Sequence, residues 1–242
     1  MIKKSSFNLY FNHTKDLLTN VIFLFPLFIL YELISFIKFN DSNIIIRNSA
    51  DSILRDIYAY FIGDTFNYYS FIFILFFLIV YIYKKDDLSS YSINIKYLFY
   101  MYFEGFILGF LLLFILNDSS HIIKNNIIYL NDVIFAFYLC LGAGIWEEIL
   151  FRLCLYSLLF LFINKIIQKQ NLSKMVSIIL SSLIFSSFHY IGTNPDIFSL
   201  YTFIIRFIGG FILCYIYIIR GLGIACMTHF SYDFLLVILP VI

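Results

Sequence analysis

Charge is scarce in this chain of 242 residues: Asp, Glu, Lys and Arg make up 13%, and the formal balance is only +1. A balance so even offers no basic stripe for nucleic acid. Cysteine is scarce as well. Cys140, Cys154, Cys214 and Cys226 all fall inside apolar runs and none stands in C-x-x-C spacing, which argues against a disulfide framework or a zinc knuckle and leaves packing as their role. Repeats, low-complexity tracts and flexible linkers are also lacking, so one domain over residues 1–242 is expected.

What the chain has in excess is apolar and aromatic bulk: 62% hydrophobic residues, 31 Phe and 20 Tyr, with a mean hydropathy of +0.92. That composition belongs to a polytopic membrane protein, with the aromatics facing lipid and the two interfaces. A hydrocarbon core of about 30 Å needs roughly 20 apolar residues per helix. Seven stretches meet the need, at 17–37, 66–83, 97–116, 133–164, 173–193, 197–219 and 222–241. They are apolar all round rather than alternating, which excludes a membrane β-barrel. The predicted fold is therefore all-α, a transmembrane helical bundle of about seven spans. The fourth stretch is too long for one straight crossing and contains Gly142 and Gly144, so a bend or a protruding end is expected there. The polar segment at about 38–65 reads as an external loop with a short helix.

Basic residues set the orientation, because Lys and Arg accumulate in cytoplasmic loops. Ten fall on one side, among them Lys84, Lys85, Lys165 and Lys169, and four on the other, Lys38, Arg47, Arg55 and Lys124. The expectation is an N-terminus inside and, after seven crossings, a C-terminus outside. The first stretch contains Pro26 and Glu32 and lacks a small-residue cleavage site, so it reads as a retained helix and not as a signal peptide.

Against this background the charges within the spans stand out. Glu147, Glu148 and Arg152 lie within six residues of the fourth stretch, and each charge at the centre of a membrane helix costs at least ~2.5 kcal/mol on insertion scales. They need mutual pairing, a wet cavity, or both. On a helix, residues four apart share a face, so Glu148 reaches Arg152 while Glu147 points elsewhere. Glu147, left unpaired on its own helix, is the candidate general base. His229 and Asp233 are likewise four apart, an arrangement in which a carboxylate orients an imidazole. His189 lies near the end of the fifth stretch, four residues after Phe185. Counting ~1.5 Å per residue puts His189 roughly 9 Å outward of Glu147 and His229, so a shared site requires tilt, a shifted helix or a cavity.

Together these constellations resemble the CAAX protease and bacteriocin-processing family, also called CPBP or ABI. Glu147-Glu148-Ile149-Leu150-Phe151-Arg152 fits its E-E-x-x-x-R motif, Phe185-Ser186-Ser187-Phe188-His189 its F-x-x-x-H motif, and His229-Phe230-Ser231-Tyr232-Asp233 its H-x-x-x-(N/D) motif. The resemblance covers about residues 133–237 and leaves 1–132 as accessory N-terminal helices. It implies a glutamate-dependent intramembrane endopeptidase acting on a membrane-associated protein or peptide, in the bacterial plasma membrane. Glu147 and His189 would hold and activate the attacking water, His229 and Asp233 would face the developing oxyanion, and Glu148 with Arg152 would brace the site.

Two positions depart from the family pattern. Leu153 stands where many members have Gly, and Asp233 where many have Asn. An ionised Asp cannot donate to an oxyanion, so Asp233 is either protonated or orients His229. The motif itself requires no metal, although one carboxylate and two imidazoles also make a zinc-type set. If a divalent ion such as zinc were held, Glu147, His189 and His229 would hold it. The chain has no H-E-x-x-H, no G-x-S and no G-x-G-D, which excludes the zinc site-2, serine and aspartyl types of intramembrane protease. Two readings compete with hydrolysis: a non-catalytic bacteriocin-immunity or binding protein, and a proton- or ion-coupled transporter, against which the lack of an inverted repeat argues. Glu104 and Arg206 also lie within spans and could pair across the bundle, as a structural ion link at least as readily as a substrate contact, and both are kept outside the site. Gly105 and Gly109 make a G-x-x-x-G spacing, read as an internal helix interface rather than a dimer contact.

Overall fold

The computed structural model describes residues 6–37, 47–62, 94–116, 130–191 and 195–239. Every regular element among them is helical. A short α1 (Ser6–Lys15) leads into α2 (Leu17–Ser35), and α3 (Ser49–Ile62) follows; α4 spans Ile95–Leu116. From Leu130 the chain runs as α5 (Leu130–Gly142), widens into π-helical turns over Ala143–Glu147 and Ile149–Tyr156, and continues as α6 (Ser157–Ile167). The bundle closes with α7 (Gln170–Phe188), α8 (Leu200–Arg220) and α9 (Leu222–Ile238).

Five of the described helical stretches are long and apolar enough to cross a membrane, and α9 is a shorter apolar helix beside them. They match six of the seven expected spans; the seventh, 66–83, lies outside the described residues. The molecule is a polytopic helical membrane bundle, as its composition predicts.

Close helix approach explains where the site can form. α9 lies in the centre, against α4 on one side and the π-helical segment on the other. A Cβ on Gly105 would stand 2.5 Å from Cβ of Met227, and one on Gly109 would stand 2.6 Å from Cβ of Ser231. The G-x-x-x-G face is thus an internal interface. Gly144 plays the same part on the other side, where a Cβ would stand 2.7 Å from Cβ of Phe230.

The irregularity expected at Gly142 and Gly144 takes the form of the π-helical segment, inside a continuous stretch of 35 residues from Val133 to Ile167. Such turns are uncommon and occur mostly at functional sites. They loosen the regular backbone ladder, and Oγ of Ser181 on α7 donates to the Phe151 carbonyl at 3.0 Å within this segment. α7 buries a stripe of small polar residues, Ser173, Ser177, Ser181, Ser182 and Ser186. Small hydroxyl side chains let membrane helices approach and bond across the gap, as Ser186 does to the Phe203 carbonyl of α8 at 2.7 Å.

The α8–α9 turn is fixed by Gly221, whose φ of 95° suits glycine and whose missing Cβ would collide with the Thr14 carbonyl. Buried Asn20 ties this corner together, donating to the Thr14 carbonyl at 2.9 Å and accepting from Gly223 N at 2.6 Å. Nearby, Glu104 takes Arg220 at 2.5 and 2.7 Å and the Tyr10 hydroxyl at 2.6 Å. The pairing of Glu104 with Arg206 read from the sequence does not occur. Arg206 belongs to a different end of α8 and binds Asp196 at 2.6 Å.

Candidate active site

The six motif residues come from three stretches of chain, and the fold gathers them. Glu147 and Glu148 sit in and beside the π-helical turns, with Arg152 one turn on; His189 is the residue that ends α7; His229 and Asp233 lie on one face of α9. Arg152 and Glu148 are 1% and 0% exposed, so neither charge has water to solvate it. They pair as the i,i+4 spacing predicts, Nη1 to Oε1 at 2.9 Å. The guanidinium also packs 4.4 Å over the Phe185 ring, and its Nη2 lies 3.4 Å from the Gly210 carbonyl.

The same Glu148 oxygen meets Nδ1 of His229 at 2.7 Å. A carboxylate only accepts, so Nδ1 is the donor and carries a hydrogen. The other ring nitrogen, Nε2, faces Asp233 Oδ2 at 3.4 Å and Glu147 Oε2 at 3.9 Å. One imidazole is therefore surrounded by three carboxylates, of which sequence spacing pointed only to Asp233. For His189, Nδ1 lies 3.0 Å from the Phe185 carbonyl. A carbonyl cannot donate, so the hydrogen resides on Nδ1 and the neutral ring offers a bare Nε2.

Glu147, His189, His229 and Asp233 line one cavity of about 230 Å³. Leu112, Leu116, Ile205, Leu213 and Leu236 make its apolar wall. The outward offset expected for His189 does not keep it from the cavity. α7 stops at Phe188, before the span boundary placed at 193, so His189 ends the helix at the cavity wall. A few convergent polar groups in an apolar hollow are the usual form of a small binding or reaction site.

Residues 129–235 match the family model for type II CAAX prenyl endopeptidase, Rce1-like. This segment is similar to the CAAX protease family. The match contains all three motifs and all six residues described above. Neither the curated proteins nor the solved structures include a match to the chain.

Within this segment Leu153, which stands where many members of the resembled family have Gly, packs against the apolar cluster around Phe23, Met101 and Ile224. Among the described residues no three His, Cys, Asp or Glu side chains converge as metal ligands would. The zinc-type set of Glu147, His189 and His229 shares a cavity without reaching ligand geometry, since His229 turns Nδ1 to Glu148 and Nε2 toward Asp233.

Two residues outside the predicted set touch this region. Arg206 lines the cavity, held by Asp196 and lying 5.3 Å from the Tyr190 ring centroid. Asn48, far outside the matched segment, donates from Nδ2 to Glu147 Oε1 at 3.0 Å. The charge of Arg206 within an apolar span signalled interest but gave no address. Asn48 gave only the signal of a helix cap, an Asn just ahead of α3.

Proposed function

We propose that the protein is an intramembrane endopeptidase of the CAAX type, hydrolysing a peptide bond of a membrane-associated protein or peptide with water activated by Glu147. The observation that carries this reading is the meeting of one carboxylate and two imidazoles, Glu147, His189 and His229, on the wall of a single cavity. The match of residues 129–235 to the type II CAAX prenyl endopeptidase family model supports it.

In this reading a water sits between Glu147 and the bare Nε2 of His189. Glu147 takes a proton from it as its oxygen attacks the scissile carbonyl carbon. The carbonyl electrons move onto the carbonyl oxygen, which Nε2–H of His229 meets as a preorganised donor in a low-dielectric pocket. With hydrogens on both nitrogens, His229 donates to Glu148 on one side and to the oxyanion on the other. Asp233 fixes the tilt of the ring. When the oxyanion collapses the C–N bond breaks, and the proton held by Glu147 passes to the departing amine. Glu148 and Arg152 touch no reacting atom; they hold His229 in register.

The setting proposed is the bacterial plasma membrane, with peptide processing or bacteriocin self-immunity as the biological context. The test compares the membrane peptidomes of cells carrying the wild-type protein and Glu147→Gln. Precursors that accumulate in the variant identify both the activity and the substrate. Identical peptide pools, with the variant folded and present in the membrane, would refute hydrolysis and leave an immunity protein that binds without cutting.

A further inference from the structure

The contact between Asn48 and Glu147 joins the CAAX-protease-like segment to a part of the chain that carries none of its motifs. The amide of Asn48 has one orientation that satisfies its neighbours. Its Oδ1 accepts from Ala50 N at 2.9 Å, capping the start of α3, and this turns the NH₂ group toward Glu147 Oε1 at 3.0 Å. The Asn48 carbonyl accepts from Ser52 N at 3.0 Å, and its backbone N lies 3.4 Å from the Tyr31 hydroxyl. Asn48 is thus held at both its backbone and its side chain.

Behind it stands a charged frame that fastens α3 to α2. Arg47 meets Glu32 with two nitrogens, at 3.0 and 3.1 Å, and Asp51 at 3.1 Å. Arg55 meets the same two acids, at 3.1 and 2.7 Å. Asp51, fully buried, also accepts from the Tyr31 hydroxyl at 2.9 Å. The end of α5, just ahead of the π-helical turns, comes close on the other side: a Cβ on Gly142 would stand 2.7 Å from Tyr31 and 3.0 Å from Asn48 Cβ. Two cations and two carboxylates in alternation resist displacement better than an isolated surface pair.

We propose that Asn48 is a positioning residue for Glu147, committing Oε1 to the amide so that Oε2 is left for the water, with the α2–α3 charged frame holding Asn48 in place. The consequence for turnover rests on the reading of Glu147 as the base; the contact itself does not. A carboxylate free to rotate would present either oxygen at varying distance, and misplacement by about 1 Å is enough to cost ~100-fold in rate. The helices ahead of residue 129 are then part of the working site.

Two measurements on the full-length protein in detergent test this. Asn48→Asp keeps the shape and the capping oxygen but replaces the donor with a like charge. A hydrophobic carbodiimide reacts with protonated carboxyl groups, and its adduct on Glu147 is quantified by mass spectrometry. Labelling of Glu147 is expected to rise several-fold in Asn48→Asp, and to rise also in Asn48→Ser, which keeps a capping oxygen but lacks the reach. Labelling equal to wild type in the folded variants overturns the proposal. The second measurement is turnover of a fluorogenic farnesylated peptide ending in a CAAX sequence. The expected order of kcat is wild type above Asn48→Ala above Asn48→Asp, each step about tenfold, with KM steady within about twofold. A residue that only caps α3 gives the other order, because Asp caps as well as Asn and Ala does not. That order too overturns the proposal. Lack of turnover in the wild type bears on the proposed function and not on Asn48, since the labelling needs no substrate.

Discussion

Oε1 of Glu148 stands 2.7 Å from Nδ1 of His229, joining residues 81 positions apart. The same oxygen lies 2.9 Å from Nη1 of Arg152, so one buried atom carries both an ion pair and the support of an imidazole. A buried charge that loses a partner costs more than the pair contributes, and Glu148 without Arg152 keeps only the His229 ring and no water. Arg152→Met is therefore expected to destabilise the protein by ~3–5 kcal/mol. Glu148→Leu combined with Arg152→Met should cost less than the sum of the two single changes, which thermal unfolding in detergent measures. Strict additivity would show that the two charges do not interact.

The second prediction concerns Asp233, 3.4 Å from Nε2 of His229. Its carboxylate either orients the ring or, protonated, donates alongside it, and an asparagine amide can do both. Asp233→Asn should retain turnover to within about tenfold, whereas Asp233→Leu, which can do neither, should lose about 100-fold or more, as loss of an oxyanion-hole donor does. Cleavage of the natural precursor in cells carrying each variant measures the difference. Equal activity in Asp233→Leu and wild type would remove Asp233 from the mechanism.

These relationships mark what the sequence could and could not reveal. Glu148–Arg152 and His229–Asp233 were legible because helical spacing names neighbours on the same helix, and charges in an apolar run draw notice. Glu148–His229 joins two helices, and no periodicity predicts which face of one meets which face of the other. His189 was legible as a motif position, and its expected outward offset is bridged by a cavity that reaches the end of α7, five residues short of the expected boundary. Asn48 lay in a segment expected to be an external loop with a short helix. The helix exists as α3, but a capping Asn looks the same whether or not it also touches a buried carboxylate such as Glu147. The pairing of Glu104 with Arg206 failed for a plain reason: each found a nearer opposite charge, Arg220 and Asp196.

A third prediction tests the packing that brings α9 to the centre. A Cβ on Gly109 would stand 2.6 Å from Cβ of Ser231 and 2.8 Å from the Thr228 carbonyl, and a carbonyl of a packed helix cannot step aside. Overpacking of this kind costs ~1–3 kcal/mol. Gly109→Val should lower the unfolding temperature in detergent and reduce turnover, because His229 lies next to Thr228 on the displaced helix. The oligomeric state, read by light scattering, should stay as in wild type. A change in oligomeric state with stability intact would mean that the G-x-x-x-G face serves association between copies.

The last prediction reaches the site from its far side. Asp51 is fully buried and satisfies Arg47, Arg55 and the Tyr31 hydroxyl together. Asp51→Ala leaves Glu32 alone to balance two guanidinium groups, a net positive charge in a frame that was neutral. The expected cost is about 3 kcal/mol, the low end for a broken buried pair, because Arg47, Arg55 and Glu32 keep partial contact with solvent. If the frame holds Asn48, the loss should extend to the active site: carbodiimide labelling of Glu147 should rise at temperatures well below unfolding, in step with the loss of turnover. Arg55→Met is the milder companion, since Arg47 continues to bridge Glu32 and Asp51. It should lower stability with little effect on Glu147 labelling. Equal labelling in wild type and Asp51→Ala, both folded, would detach the charged frame from the chemistry and leave it as a clamp between α2 and α3 alone.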